Sequence, residues 1–308
     1  MNLKQKLYQM FILGIDGDGW KDALAQGLGG IIFFTKDIQT SRGFCDLIND
    51  VKSHALVTPF LSIDQEGGRV ERTENIHNGK KYLSAKYAYA KGLDFLRNQT
   101  KQIAQELKTY GINLNFAPCI DVNTNPNNPI IGERAFSDKP EDVIKCEKIV
   151  SQTYRENGII PCVKHFPGHG LSNVNSHYAI PKINEIDLME KEDLQVFGRA
   201  IDDGCEALMV GHLRVKGCGF KPATINRFII HKYLIDRYNY QGLIITDDLR
   251  MNLLRTIYGM KRVIKYSIMA GNNLLVIKYH KGDTKLYDKI FKMIESGEIK
   301  RELIDDSY

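Results

Sequence analysis

The 308-residue chain predicts an α/β fold, a single (β/α)8 barrel of the TIM type spanning residues 1–308. The prediction rests on three features. Eight short apolar runs, at 11–15, 30–34, 59–63, 113–117, 161–164, 207–210, 243–246 and 273–277, are separated by helical patterns, and such alternation gives a parallel sheet. The runs are mostly continuous in apolar character, as strands buried on both faces are. The longer polar loops, 64–81, 121–139, 166–181 and 247–251, follow strands, where barrels of this kind carry their chemistry.

The elements follow in order. Lys4 and Lys6 precede an apolar run at 10–15 that is short, ends in Asp16, Gly17, Asp18 and Gly19, and lacks a small-residue cleavage site. It reads as a first strand and not as a signal peptide. Phe44, Leu47, Ile48 and Val51 form one helical stripe, and Ile103, Leu107 and Tyr110 form another, ended by Gly111. Val143, Ile144, Ile149, Val150 and Tyr154 form a third, opened by Pro140 and closed by Gly158. Leu194, Phe197 and Ile201, closed by Gly204, form a fourth; Phe228, Ile229, Tyr233 and Leu234 form a fifth.

Composition excludes several classes. Hydrophobic residues at 43% and charged residues at 26% are ordinary for a globular domain. The net charge of +5 is spread along the chain without a basic tail or stripe, so no nucleic-acid partner is expected. No run approaches the roughly 18 apolar residues of a membrane helix; no membrane partner is expected, and the protein reads as cytoplasmic. Cys45, Cys119, Cys146, Cys162, Cys205 and Cys218 form no Cys-x-x-Cys pair and several lie in apolar runs. Reduced thiols are expected, and neither a disulfide framework nor a zinc site.

The stretch Cys162-Val163-Lys164-His165-Phe166-Pro167-Gly168-His169-Gly170 passes from buried strand to polar loop and runs on to Asn175, Ser176 and His177. Lys164 and His165, side by side at a strand end, could hold vicinal hydroxyls of a sugar. The plainer account of Lys164 is an ion pair with an acid such as Asp121. His169 and His177 have no carboxylate or Cys at ligand spacing and form no His-x-x-x-His pair, so neither a metal nor another cofactor is expected.

Other strand ends are polar too. Asp64, followed by Gly67, Gly68 and Arg72, is either an acid at the barrel mouth or a turn residue capping amides. In the loop 121–139, Arg134 offers a donor fork to hydroxyls or carboxylates, or pairs with Glu133 or Asp138. The seventh run ends in Asp247 and Asp248, whose side chains should diverge. One would face the axis as a nucleophile while backbone amides hold the other; alternatively either caps a helix. Polar clusters at several strand ends of one barrel converge on one pocket. A carboxylate opposite an imidazole, ringed by Lys, Arg and Asp, suits hydrolysis of a small carbohydrate, with Asp247 as nucleophile and His177 as proton donor. Should His177 not donate, Glu66 or Glu71 in a neighbouring loop are the reserves.

These residues resemble glycoside hydrolase family 3, in its single-domain β-N-acetylhexosaminidase branch, known for a cytoplasmic peptidoglycan-recycling enzyme. The resemblance covers residues 29–275. It is carried by Ile63-Asp64-Gln65-Glu66-Gly67-Gly68-Arg69-Val70-x-Arg72, by Asp121-Val122-Asn123 through Gly132-x-Arg134-x-Phe136, and by Lys164-His165-Phe166-Pro167-Gly168-His169-Gly170, the most specific stretch. Ser176-His177 with Pro181, and Asp247-Asp248-Leu249-x-Met251, follow at the expected spacing. The resemblance implies a β/α barrel, retention of configuration, no metal, and Asp247 as the residue that forms the glycosyl-enzyme. It implies Asp64, Arg72, Arg134, Lys164 and His165 as sugar-binding. In this branch a loop triplet Asp-Ser-His carries the proton donor and the acid that orients it.

Here the triplet reads Asn175-Ser176-His177. The amide accepts a hydrogen bond from the imidazole but does not stabilise an imidazolium. Arg250 stands where the branch has a small or polar residue, and Asn273 where Asp is common; both are expected to bear on loop packing or the aglycone side. Rival readings are a weakened barrel that binds sugar as a sensor, a family 3 enzyme of other specificity such as a β-glucosidase, and transfer to phosphate.

Overall fold

The structure is a computed structural model that describes the chain except Asp16, Asp18, residues 173–179, residues 279–285 and Tyr308, with backbone alone at 252 and 253. Ten strands occur among the described residues: β1 (Phe11–Gly14), β2 (Gly30–Phe33), β3 (Phe60–Ile63), β4 (Leu114–Asn115), β5 (Ile160–Phe166), β6 (Lys182–Ile183), β7 (Ala207–Val210), β8 (Arg214–Val215), β9 (Leu243–Thr246) and β10 (Leu275–Ile277). Eight are parallel in the order β10-β1-β2-β3-β4-β5-β7-β9, and a parallel bridge from Ile245 to Leu274 joins β9 back to β10. The barrel is therefore the (β/α)8 fold that the alternation predicts. The short pair β6 and β8 lies outside it.

Each strand divides its side chains between two cores, because successive residues face opposite ways. Ile12, Ile32, Leu114, Phe116, Cys162, Met209, Ile245 and Val276 fill the barrel interior. Their neighbours Phe11, Leu13, Ile31, Phe33, Val163, Leu208, Ile244 and Leu275 pack outward under the helices. This two-sided burial is why the runs are apolar without a gap.

Two strands differ in length from the expectation. β4 is shorter than 113–117 because two amide side chains stand in for ladder bonds: Leu61 N–H donates to Asn113 Oδ1 at 2.8 Å, and Asn115 exchanges two bonds of 2.9 Å with the Gln65 backbone. β5 is longer than 161–164, reaching Phe166. The chain also opens with a helix, Leu3–Gln9, that the apolar pattern passes over; its signal is the capping box of Asn2 and Gln5.

The predicted stripes form helices at Ser41–His54, Leu93–Thr109, Pro140–Glu156 and Asp193–Asp202. The fifth stripe needs correction. Helix Arg227–Ile230 runs into a π-turn at His231–Ile235, which adds a residue to the turn. Ile229, Ile230, Tyr233 and Leu234 then share the buried face, and Phe228 is 53% exposed. The six cysteines are free thiols. No described helix is long and apolar enough to cross a membrane.

Candidate active site

Barrel alternation decides which polar side chains reach the mouth. In β3, Leu61 and Ile63 pack outward, so Asp64 turns in. In β9, Ile245 faces the axis, and so does Asp247 two residues later. Cys162 and Lys164 share the inner face of β5 in the same way. The register against β7 then shifts between Lys164 and Phe166. Such an irregularity re-aims a side chain: His165 joins the cavity while Phe166 packs outward on Phe197.

Asp64, Arg72, Arg134, Lys164, His165, His169 and Asp247 line one cavity of about 240 Å³, above a floor of Ile32, Phe116, Met209 and Val276. Pockets for drug-sized ligands run to roughly 300–1,000 Å³, so this one suits a single ring. His177 and Asn175 lie outside the described residues.

The cations are paired, but not with the partners considered above. Arg134 forks onto Glu66 through Nε at 2.8 Å and Nη2 at 2.7 Å, not onto Glu133 or Asp138. Lys164 Nζ donates to Asp64 Oδ1 at 2.8 Å and lies 2.6 Å from Glu66 Oε1, rather than pairing with Asp121. Arg72 stands 3.8 Å from Asp64. Burial by itself would push the Glu66 carboxyl up, but Arg134 and Lys164 override it and hold the group below the usual carboxylate range. Burial would lower the Lys164 ammonium, and Asp64 with Glu66 raises it instead.

Glu66 is therefore ionised and has no proton to give. Glu71, the other reserve donor, is 2% exposed and organises its own loop. It accepts from the Thr73 hydroxyl at 2.8 Å, the Tyr82 amide at 3.2 Å and the Gln65 side chain. Glu66, offered by the sequence only as a reserve proton donor, instead anchors the cavity residues Arg134 and Lys164. Its signal was present: two residues past Asp64, it returns to the same face. The loop turns at Gly67, with φ of 96° and the Leu83 carbonyl 2.4 Å from where a Cβ would stand; only glycine suits both.

Asp121, read from the sequence as a possible partner for Lys164, instead holds His165 and the His169 backbone. It is fully buried, and Oδ1 accepts the backbone N–H of His169 at 2.6 Å and of His165 at 3.2 Å. Oδ2 accepts from His165 Nδ1 at 2.7 Å and Cys119 Sγ at 3.3 Å. Burial would raise this carboxyl; His165 in particular brings it down to about 2. An ionised carboxylate only accepts, so Nδ1 of His165 carries a proton and Nε2 faces the cavity, 3.4 Å from Arg134 Nη2. Cys119, Asp121 and His165 put three possible metal-ligand atoms within 4.8 Å of one another, but all three are spent on these bonds. His169 supports the loop through its backbone. Its ring nitrogens are buried without hydrogen-bond partners among the described residues, and burial pushes the imidazole down to about 4.

The two adjacent acids differ in environment. Asp247 Oδ1 accepts the Asp248 N–H at 2.7 Å, and its other oxygen has no hydrogen-bond partner among the described residues. Burial would raise its carboxyl; His212, His165, the Asp248 amide and Lys164 hold it low. Asp248 Oδ1 accepts the amides of Arg250 at 3.0 Å and Lys278 at 3.2 Å, and burial raises it. Asp248 thus ties the ends of β9 and β10, while Asp247 presents an ionised carboxylate to the cavity.

Asn273 is not near the aglycone side. It precedes β10, at the end of the barrel opposite the cavity, and its Oδ1 accepts the Ile244 N–H at 2.8 Å. An aspartate oxygen would make the same bond, so the exchange is mild.

Residues 2–308 match the family model described as the glycosyl hydrolase family 3 N terminal domain. The chain is similar to Beta-hexosaminidase A of Pseudoalteromonas piscicida, at 33% identity over 91% of this chain and 52% of that protein. It is similar to Beta-hexosaminidase LpqI of Mycobacterium tuberculosis, at 25% identity over 99% of this chain and 80% of the relative. Among solved structures, a glycoside hydrolase family 3 β-N-acetylglucosaminidase from Paenibacillus sp. str. FPU-7 superposes with a TM-score of 0.92 at 31% identity, covering 100% of this chain and 61% of the other. The chain thus spans about half the length of the first relative and three-fifths of that solved chain. With the family model matched from end to end, this chain belongs to glycosyl hydrolase family 3.

Proposed function

We propose that the chain is a retaining exo-glycosidase, carried by one barrel domain, that releases terminal β-linked N-acetylglucosamine. The observation that carries this reading is the ionised Asp247 carboxylate, one oxygen held by an amide and the other without a hydrogen-bond partner among the described residues, in a ring-sized cavity walled by Lys164, Arg134 and His165. The N-acetyl preference is supported by relatives named as hexosaminidases and a β-N-acetylglucosaminidase.

In the first step Asp247 attacks the anomeric carbon as the bond to the aglycone oxygen breaks, giving a glycosyl ester. His177 supplies the proton to the departing oxygen. Water then attacks the same carbon, returns a proton to His177 and frees Asp247, so two inversions give retention. Lys164, Asp64, Arg134, Arg72 and His165 bind the sugar hydroxyls. The amide of Asn175 orients His177 without charge stabilisation. Cell-wall fragments are the proposed source of substrate, and the cytoplasm the proposed compartment, since six unpaired thiols suit a reducing environment.

The test is release of aryl alcohol from an aryl β-N-acetylglucosaminide, set beside the aryl β-glucoside, with and without phosphate. Cleavage of the first alone, independent of phosphate, is expected. Preference for the glucoside, dependence on phosphate, or binding without turnover would each replace the reading with one of its rivals.

A further inference from the structure

We infer that His212 is a positioning residue for the nucleophile turn, an inference that rests on Asp247 being the nucleophile. His212 stands just past β7 and is 4% exposed. Its Nε2 lies 2.9 Å from the backbone carbonyl of Asp248, and its Nδ1 lies 2.7 Å from Thr224 Oγ1. A carbonyl oxygen only accepts, so Nε2 carries a proton and donates it there. On its far side the Thr224 hydroxyl reaches the Gly211 carbonyl at 2.8 Å, and Asn272 Nδ2 holds the Thr224 carbonyl at 2.9 Å. The ring is therefore held at both nitrogens.

Asp248 is gripped at each of its polar groups. Its N–H donates to the Asp247 carboxylate at 2.7 Å, its own carboxylate takes the amides of Arg250 and Lys278, and its carbonyl takes His212. The Asp247 N–H donates to the Val210 carbonyl at 3.1 Å. That backbone bond and the His212 side chain clamp the nucleophile turn to the end of β7 from two sides. Without His212, the residue whose amide orients the Asp247 carboxylate keeps one anchor fewer, its carbonyl then held by the Met251 amide alone at 3.1 Å. The ring also helps to hold that carboxyl low against burial.

The test uses the full chain with an aryl β-N-acetylglucosaminide, and counts active sites by trapping with a slow fluorinated glycoside. His212→Leu removes the donor and should lower kcat per trapped site about 10–100-fold, the usual cost of losing a partner that orients a reacting group. KM should move by less than about threefold, because the ring does not line the cavity. The acid limb of kcat/KM should move to higher pH. His212→Gln keeps an N–H near the Nε2 position and should recover most of the loss. A role in folding alone would reduce the number of trapped sites and leave kcat per site unchanged, which would overturn the inference. Equal losses in the Leu and Gln variants would overturn it too. If His212→Leu does not fold, Thr224→Val decides: it frees Nδ1, and an unchanged kcat per site would refute the clamp. A wild type that neither turns over nor labels at Asp247 would instead sink the glycosidase reading itself.

Discussion

Glu66→Gln tests the electrostatic logic of the pocket. Glu66 lies between two cations, 2.6 Å from Lys164 Nζ and 2.7 Å from Arg134 Nη2, with its side chain 6% exposed. Breaking a buried ion pair from one side costs roughly 3–5 kcal/mol, because the partner charge is left uncompensated. A glutamine oxygen still accepts one of these bonds, so the lower end applies, about 3 kcal/mol at pH 7. For a 308-residue chain, at about 2.1 cal/mol/K of unfolding entropy per residue, that is a melting-temperature drop of about 5 °C.

The pH dependence carries the sign. The folded Glu66 carboxyl is held below its ordinary value of 4.5, so its contribution is complete above that value and fades as pH falls below it. The gap between wild type and variant should therefore be flat from pH 5 to 8 and narrow on further acidification. Urea unfolding of both proteins at several pH values measures it. Activity gives a second readout. Releasing Arg134 and Lys164 from their anchor misplaces them, and a shift of about 1 Å can cost about 10²-fold in rate. The loss in kcat/KM should be the same for good and poor leaving groups. A gap below about 1 kcal/mol would refute the buried-pair reasoning. A loss confined to poor leaving groups would make Glu66 the proton donor.

Other outcomes follow from the site. Asp247→Asn should fold as the wild type does and lose turnover, since an amide neither forms nor releases the glycosyl ester; mass spectrometry after fluoroglycoside trapping should place the label on Asp247, and a label on Asp248 would reverse the assignment of the two acids. Asn175→Asp should raise kcat/KM far more for alkyl or sugar aglycones than for acidic phenols, because acid catalysis, typically worth about 10²–10⁴-fold, acts only where the departing oxygen needs a proton; equal gains across the series would contradict it. Asp121→Asn should cost about 2 kcal/mol at pH 7, from a carboxyl depressed from 3.8 to about 2 at about 1.4 kcal/mol per unit. That difference should shrink as pH falls from 4 towards 2, and denaturant melts at pH 7 and pH 3 would expose a gap that does not.

Apolar periodicity was enough for the barrel. A strand buried on both faces must be apolar at every position, and a helix must carry a stripe, so eight runs and the stripes between them leave few other folds. Strand-end polarity likewise marked Asp64, Lys164 and Asp247, because a charged residue closing a buried run must face the mouth. Pairing was another matter. Lys164 meets an acid 100 residues away in the chain, and several strand-end acids were equally available to it by sequence. Ring closure chose Asp64 and Glu66 for Lys164, and left Asp121 for His165. The inward turn of His165 depends on a local register shift that no residue pattern announces. Asn273 was expected to bear on loop packing or the aglycone side, yet the parallel arrangement puts the start of every strand at the end of the barrel away from the cavity. One-dimensional spacing tells which face a residue takes; which charges become neighbours, and so which carboxylate stays ionised and free to react, depends on distances that exist only once the barrel closes.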